Sequence, residues 1–363
     1  MSLLARRPLV AVLAVASVAL LSIAATRGDS TDSPQAPGPR VLLLYDMEGI
    51  TGAVRASDVN FGSPTYQATR ESLVEDVNAA IRGLQRAGAR EVVVIDGHGS
   101  GSPDPDYLLD RMPTGARHEV GAEPLDPYID LMDRRFDAVV AIAMHSKAGS
   151  RGFLAHTYNG HTRWIMNGHD MNESMLVAAS AARYRTPLIL VTGDDVLAGE
   201  VRAFSPRTEY VVVKDARGVD EAVPRPRAQV SAAIEAAAER ALRARKAIGP
   251  WDPRLPSEFV NHYGYVMPEQ AAAAINFPGA TVVDDKTVSV RTRSFLDAYL
   301  TFRALAGFTG LATQRVILDG VRSQAGANEF VQQAQARIPS RRDRTFAPTG
   351  TTIPRPFGRH GYR

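Results

Sequence analysis

The sequence predicts an α/β fold: a mostly parallel sheet with helices on both faces, plus a smaller C-terminal α+β domain. Short unbroken apolar runs such as Val41-Leu42-Leu43-Leu44-Tyr45 and Val92-Val93-Val94-Ile95 have the composition of strands buried on both faces. Segments of helical periodicity separate them. Each run also ends in ionisable residues, often beside glycine, and the carboxyl ends of parallel strands are where open α/β sheets bind ligands.

The elements follow in order. Val41 to Tyr45 is the first strand. Tyr66 to Ala87 has helical spacing, with Leu73, Val77, Ile81 and Leu84 on one face and Gly88 as the stop. Val92 to Ile95 is the second strand, and after an irregular Gly- and Pro-rich stretch Ala138 to Met144 is the third. A strand at Arg163 to Met166 and a helix from about Met171 to Arg183 precede the fourth buried strand, Pro187 to Val191. An N-terminal α/β domain is thus expected over residues 40–227. An Ala-rich helix from Ala228 to Ala247 leads, through a boundary at Pro250 to Pro256, to a unit ending near Asp319. That unit contains a strand at Thr287 to Val290 and a helix at Phe295 to Ala306, and residues 228–319 are expected to form the second domain.

The chain ends differ from this body. Arg6, Arg7 and the apolar run Leu9 to Ala25 predict a signal peptide or N-terminal anchor over 1–27, with small residues at Ser22-Ile23-Ala24 for cleavage. Residues 28–39 read as a linker, and the polar, Arg-rich tail 320–363 is expected to be disordered in its last part. The formal charge of +3 belongs to these ends. Without Arg6, Arg7, Arg27 and the stretch Arg337 to Arg363 the body is about −6, which argues against a nucleic-acid-binding face. The chain has no cysteine, so it has no disulfides, no lipidated cysteine and no thiolate metal ligands. An exported protein is expected, extracellular or attached to the cell envelope, touching the membrane only through an uncleaved N-terminal segment.

The chemistry gathers at the strand ends. The four buried strands run into Asp46-Met47-Glu48-Gly49, Asp96-Gly97-His98-Gly99, His145-Ser146-Lys147 and Gly193-Asp194-Asp195, which point at one location. Asp46 and Glu48, two apart in extended chain, project to the same side, and two such carboxylates repel unless a cation lies between them. His98 sits between glycines and His145 directly follows a strand; either alone would more often be a hydrogen-bonded core residue than a ligand. Most of the eight histidines, however, fall between His98 and His169. With oxygen and imidazole donors only, zinc is the first candidate, and Mn2+, Fe2+ or Co2+ would fit nearly as well. Glu173 opens a helix, where acid is also a routine partner of the helix dipole. His156 could serve as a general acid/base or stabilise an oxyanion, or simply lie at the surface. Lys214, ending the run Tyr210 to Val213, could bind a substrate carboxylate or be a solvated charge. No GxSxG elbow, P-loop or HExxH motif is present.

The blocks Tyr45-Asp46-Met47-Glu48-Gly49-Ile50-Thr51-Gly52, Asp96-Gly97-His98, Met144-His145, Ala155-His156, Asn167-Gly168 followed by Glu173, and Gly193-Asp194-Asp195 occur in this order. In this the sequence resembles the DppA-like zinc-dependent D-aminopeptidases, from about Arg40 through Gly310, with Asp-x-Glu-Gly at a strand end the most specific element. The resemblance implies two zinc ions per subunit, held by Asp46, Glu48, His98, His145 and Glu173. His156 matches the family's catalytic histidine, described there as a nucleophile; a metal-bound hydroxide assisted by His156 is the other route. It further implies release of N-terminal D-residues, especially D-alanine, from short peptides, and assembly into homo-oligomeric rings. Two departures stand out: Leu44 replaces the serine usual two residues before the aspartate, and the typical cytosolic member lacks the N-terminal segment and basic tail. Outside the cytoplasm, peptidoglycan-derived peptides become the expected substrates. The competing readings are another binuclear metallohydrolase of amides or esters, and a non-catalytic exported peptide-binding protein.

Overall fold

The computed structural model describes residues 38–324, apart from 121–125, 131, 160–161 and 254–258, together with residues 326 and 329. The expected export segment, the linker up to residue 37 and nearly all of the tail lie outside the described residues. Among the described residues, no helix is long and apolar enough to cross a membrane.

The main sheet is built from β1 (Arg40–Tyr45), β2 (Glu91–Asp96), β3 (Ala116–His118), β4 (Ala138–Met144), β7 (Leu188–Asp194), β8 (Glu209–Gly218) and β9 (Glu221–Pro224). Its order is β3-β2-β1-β4-β7-β8-β9; the first six are parallel and β9 folds back antiparallel to β8. Every residue of β1 and β4 is buried, as their apolar runs Val41 to Tyr45 and Ala138 to Met144 require; Arg40, which opens β1, is buried against Glu91. Alternate side chains enter two cores. Val41, Leu43 and Tyr45 pack with α1 (Tyr66–Arg86) and α4 (Arg227–Ile248), through Leu73, Val77, Ile81, Val230 and Ile234. Leu42 and Leu44 face the opposite core, which holds Met175 and Leu176 of α2 (Glu173–Ala182) and Leu197 and Val201 of α3 (Asp195–Phe204). Helices therefore cover both faces of the sheet, as the sequence predicts.

The expected boundary at 227/228 does not separate two packing units. A second sheet has the order β11-β12-β10-β5-β6, formed by β5 (Thr162–Met166), β6 (His169–Asp170), β10 (Phe259–Tyr265), β11 (Thr281–Val282) and β12 (Thr287–Thr292). The segment assigned to the first domain thus supplies β5, which pairs antiparallel with β10 from the second. The reason is visible in β5 itself: Trp164 and Met166 are buried while Arg163 is exposed, the alternation of a strand with one solvated face. The Ala-rich helix α4 lies on α1, β7 and β8, so the described residues form one compact unit.

The last helix also differs from expectation. Helix α6 runs Phe295–Arg322 and continues through Gly307 and Gly310, where a stop near Ala306 was expected. Burial of Tyr299, Phe302, Leu305 and Thr309, and the bond from Gln270 of α5 (Pro268–Ala274) to Thr313, offset the glycines' cost of about 1 kcal/mol each.

Where β1 ends, Gly49 lets two chain segments touch. Its N–H donates to the Ala143 carbonyl at 2.7 Å, and a Cβ here would overlap the carbonyl oxygen of Met144. Backbone cannot yield as a flexible side chain does. Gly49→Ala is therefore expected to cost roughly 2 kcal/mol or more, seen as a lowered denaturant midpoint, with metal uptake impaired as well.

Candidate metal centre

Four loops and helix ends meet above the carboxyl edge of the sheet. Asp46 and Glu48 follow β1, His98 follows β2, His145 follows β4, and Glu173 is the first residue of α2. All five are buried. His98 Nδ1 lies 2.9 Å from Asp46 Oδ1 and 3.1 Å from Glu48 Oε2. His145 Nε2 lies 3.4 Å from Asp46 Oδ2 and 3.4 Å from Glu173 Oε1. Three donor groups result, each with its ligand atoms within 4.8 Å of one another: Glu48–His145–His156, and two that share a residue, Asp46–Glu48–His98 and Asp46–His145–Glu173. Asp46 belongs to both, one carboxylate oxygen to each.

Backbone geometry aims these side chains. Ala143 in β4 has φ 65°, rare for a residue with a Cβ, and the β4–β7 register is irregular between Ala141 and Met144. The kink is held by Thr192, which accepts from the Ala143 N–H, and it precedes His145, whose Nε2 faces Asp46 and Glu173. The histidine rings are fixed from outside. His98 donates from Nε2 to the Val59 carbonyl (3.0 Å), His145 from Nδ1 to the Ser146 carbonyl (3.0 Å), and His156 from Nδ1 to the Leu154 carbonyl (2.7 Å). A carbonyl only accepts, so in each neutral ring the opposite nitrogen is left bare and faces the cluster.

The acids are held in turn. Asn172 caps α2 by accepting from Met175 N, which places Glu173 at the helix start. Glu173 Oε1 accepts the Tyr158 N–H at 2.6 Å, and Oε2 accepts the Tyr128 hydroxyl. Asp96 receives the His98 N–H at 2.9 Å and the Asp106 N–H at 2.7 Å, tying the two ends of that loop together.

The electrostatics are those of a site short of positive charge. Burial and then the Glu48 charge push the Asp46 carboxyl up. Burial opposes charging of His98, but the Glu48 charge and the bonds to both carboxylates outweigh it and hold its ring well above the ordinary imidazole value. His145 is raised in the same way against burial, by Glu173 and Asp46. Glu173, despite burial, is drawn down to about 2 by His145. His145 Nε2, buried and aimed between two carboxylates, has no hydrogen-bond partner. A buried ring nitrogen left without a partner among acidic oxygens is what a divalent cation would satisfy once the ring gives up its proton, so the residues fit a metal with oxygen and nitrogen preference.

His156 lies over this cluster, its ring stacked on His145 with centroids 3.9 Å apart and planes at 9°. Its Nε2 is 3.8 Å from Glu173 Oε1 and 4.0 Å from Glu48 Oε1. It lines a cleft of about 1160 Å³ together with Asp46, Glu48, His98 and Glu173. All six residues proposed for metal and catalysis are therefore brought together.

Two expectations need correction. Lys214 is fully buried, is not among the residues lining the cleft, and is neither a solvated charge nor placed to bind substrate. Its Nζ donates to the carbonyls of Glu48 and Ala53, both at 2.6 Å, and lies 4.5 Å from the Phe153 ring. Burial lowers its pKa to about 7. Lys214 braces the 46–53 turn from behind: β8 is interior, so a lysine within it can be buried only where carbonyls wait for it. The fourth strand end does not enter the site either. Asp194 caps α3 by accepting from Leu197 N and also accepts from Phe153 N, anchoring the segment that carries His156. Tyr128 and Tyr158 were missed; each lies in irregular chain, and nothing local marks a residue whose role is to meet Glu173.

Fold and donors together define a class: an α/β protein that collects acidic and imidazole ligands for divalent cations at the carboxyl edge of its sheet. The chain belongs to the D-aminopeptidase family of peptidases, M55, whose model matches residues 40–304. It is 26% identical over 274 residues to the D-aminopeptidase of Bacillus subtilis (strain 168), covering 72% of this chain and 94% of that protein. In structure it is similar to the Zn-dependent D-aminopeptidase DppA from Bacillus subtilis, described as a self-compartmentalizing protease. That likeness has a TM-score of 0.69 at 22% identity, over 74% of this chain and 97% of the other.

The raised histidines set a sign for metal binding. In the metal-free protein His98 and His145 hold protons above the usual imidazole range of about 6.5, and a cation needs those nitrogens bare. Metal affinity is thus expected to rise with pH through and beyond that range, with protons released on loading. Calorimetric titration in buffers of different ionisation heat measures this; affinity flat from about pH 6 to 8.5 without proton release would contradict the ligand set.

Proposed function

We propose that the chain is a zinc-dependent aminopeptidase that removes N-terminal D-residues, D-alanine foremost, from short peptides at a two-metal site. The observation that carries this is the shared Asp46, whose oxygens face two separate ligand groups. Glu48 Oε2 and His98 Nδ1 would complete one position, and Glu173 Oε1 and His145 Nε2 the other. Zinc suits a cysteine-free site of imidazole and carboxylate donors, and zinc is what the name of the structural relative specifies. Bound there, such cations would lower the pKa of water and polarise the scissile carbonyl.

The chain's own residues supply the rest. His156 is half-open to the cleft, with Nε2 within about 4 Å of both Glu48 and Glu173, and so is placed to accept a proton and return it to the leaving amine. Its Nδ1 bond to Leu154 fixes the tautomer that leaves Nε2 available. The stack on His145 holds the ring parallel to its neighbour. Leu154 and Tyr158 flank it at φ 50° and 66°, a strained segment that presents the side chain without mobility.

Assembly and location complete the reading. Exposed Leu300, Phe308, Leu311, Ile317 and Leu318 on α6 support a homo-oligomer, and the structural relative is described as self-compartmentalizing. Export rests on residues 1–27 and would make peptidoglycan-derived peptides the natural substrates.

Asp46→Ala or His98→Ala is expected to abolish turnover and metal loading together. His156→Ala should keep its zinc while losing roughly two to four orders of magnitude in rate. Activity retained by the Asp46 variant refutes the site, and faster cleavage of L-Ala-L-Ala than of D-Ala-D-Ala refutes the stereochemical assignment. Light scattering on the mature protein should show an oligomer that Leu311→Asp weakens, and cell fractionation should find the protein outside the cytoplasm; a monomeric or cytoplasmic wild type contradicts the corresponding half.

A further inference from the structure

The cleft lined by Asp46, Glu48 and Glu173 is also lined by Arg303, Ala304, Gly307 and Gly310 of α6. Arg303 is the one lysine or arginine among the described residues lining the cleft. Its Nη1 donates to the Asp126 carboxylate and to the Tyr299 hydroxyl, and its guanidinium carbon lies 4.7 Å from the centre of the Tyr158 ring. Asp126 is itself held by the Tyr299 hydroxyl at 2.9 Å and the Tyr128 N–H at 3.0 Å. Pairing with Asp126 weakens the long-range pull of the cation. It also fixes the side chain, so little rotamer entropy remains to be lost on binding.

Tyr158 connects this cation to the metal centre. Its N–H donates to Glu173 Oε1 while its ring lies under Arg303, and its φ of 66° is costly for an aromatic residue. The strained backbone thus positions a candidate metal ligand and the arginine's platform through one residue. Tyr158 alone thus links the arginine to a candidate ligand, so a carboxylate held at Arg303 would belong close to the cleaved bond.

We propose that Arg303 forms a subsite for a carboxylate on the leaving half of the substrate, so that the enzyme selects short peptides whose negative end lies close to the cleaved bond. The inference rests on the aminopeptidase reading above and adds the substrate's charge and length to it. A planar guanidinium held over an aromatic ring is suited to a carboxylate by its fork of N–H donors, and a charge-assisted bond in a partly desolvated cleft discriminates against a neutral end. The carboxylate can come from the peptide's C-terminus or from an acidic side chain next to the cleaved bond.

The test compares kcat and KM of the zinc-loaded full chain on D-Ala-D-Ala, D-Ala-D-Ala-amide and D-Ala-D-Glu-amide. The wild type is expected to favour the free acid over its amide by roughly tenfold to a hundredfold in kcat/KM, mainly through KM. Arg303→Gln should bring that ratio towards one, and Arg303→Lys should keep part of it. A preference for the D-Glu amide over the D-Ala amide that also depends on Arg303 supports the side chain as a second source of the carboxylate. Equal wild-type turnover of acid and amide overturns the subsite without any variant, should the variants fail to fold. A proportional loss on all three substrates in Arg303→Gln likewise overturns it, because that is the mark of a structural role. No turnover of any peptide by the wild type overturns the aminopeptidase reading and the subsite together.

Discussion

Three carboxylates and three imidazoles lie within a few ångström of one another at the end of the main sheet, five of the six buried, and this crowding governs the surrounding structure. Negative groups so close cannot all ionise without positive charge among them. In the metal-free protein, protons on His98 and His145 supply that charge, which is why both rings are raised and Glu173 is drawn down. A pair of divalent cations would do the same more strongly, and Asp46, facing both positions, is the group that neither could lose.

Such a cluster persists only if its backbone is over-determined, and the neighbouring chain shows how. Lys214 holds the 46–53 turn by its carbonyls, Asp194 holds the segment before His156, and Asp96 holds the loop after His98. Non-glycine residues with positive φ, Ala143, Leu154 and Tyr158, sit beside the ligands or His156. The strain is tolerated because buried hydrogen bonds on either side leave no cheaper path. Several ionisable residues around the site thus act as scaffold, keeping the smaller ligand set in place.

The cleft is closed by parts of the chain remote from the ligands. Helix α6 and the second sheet come mostly from beyond residue 258, yet they pack against the core beneath α2 and bring Arg303 to the cleft that the acids line. The residues that α6 contributes to the cleft and the candidate ligands therefore belong to one compact unit.

Much of this was legible in the chain. Uninterrupted apolar runs marked β1, β2, β4 and β7, helical spacing marked α1, α2 and α4, and acidic or imidazole residues at strand ends marked the candidate ligands that the fold gathers, because these signals are local and periodic. For Glu173 and His156 local pattern was ambiguous, and resemblance to known aminopeptidases supplied the assignment. What the sequence could not determine was set by long-range contact. Lys214 became a buried brace and Asp194 a helix cap, because a charge's role depends on which carbonyl or N–H the fold brings to it. β5 left the main sheet because a strand with one polar face is stable only where that face meets water. Tyr128, Tyr158 and Arg303 joined the site through tertiary packing alone, since convergence from separate loops leaves no mark in local spacing.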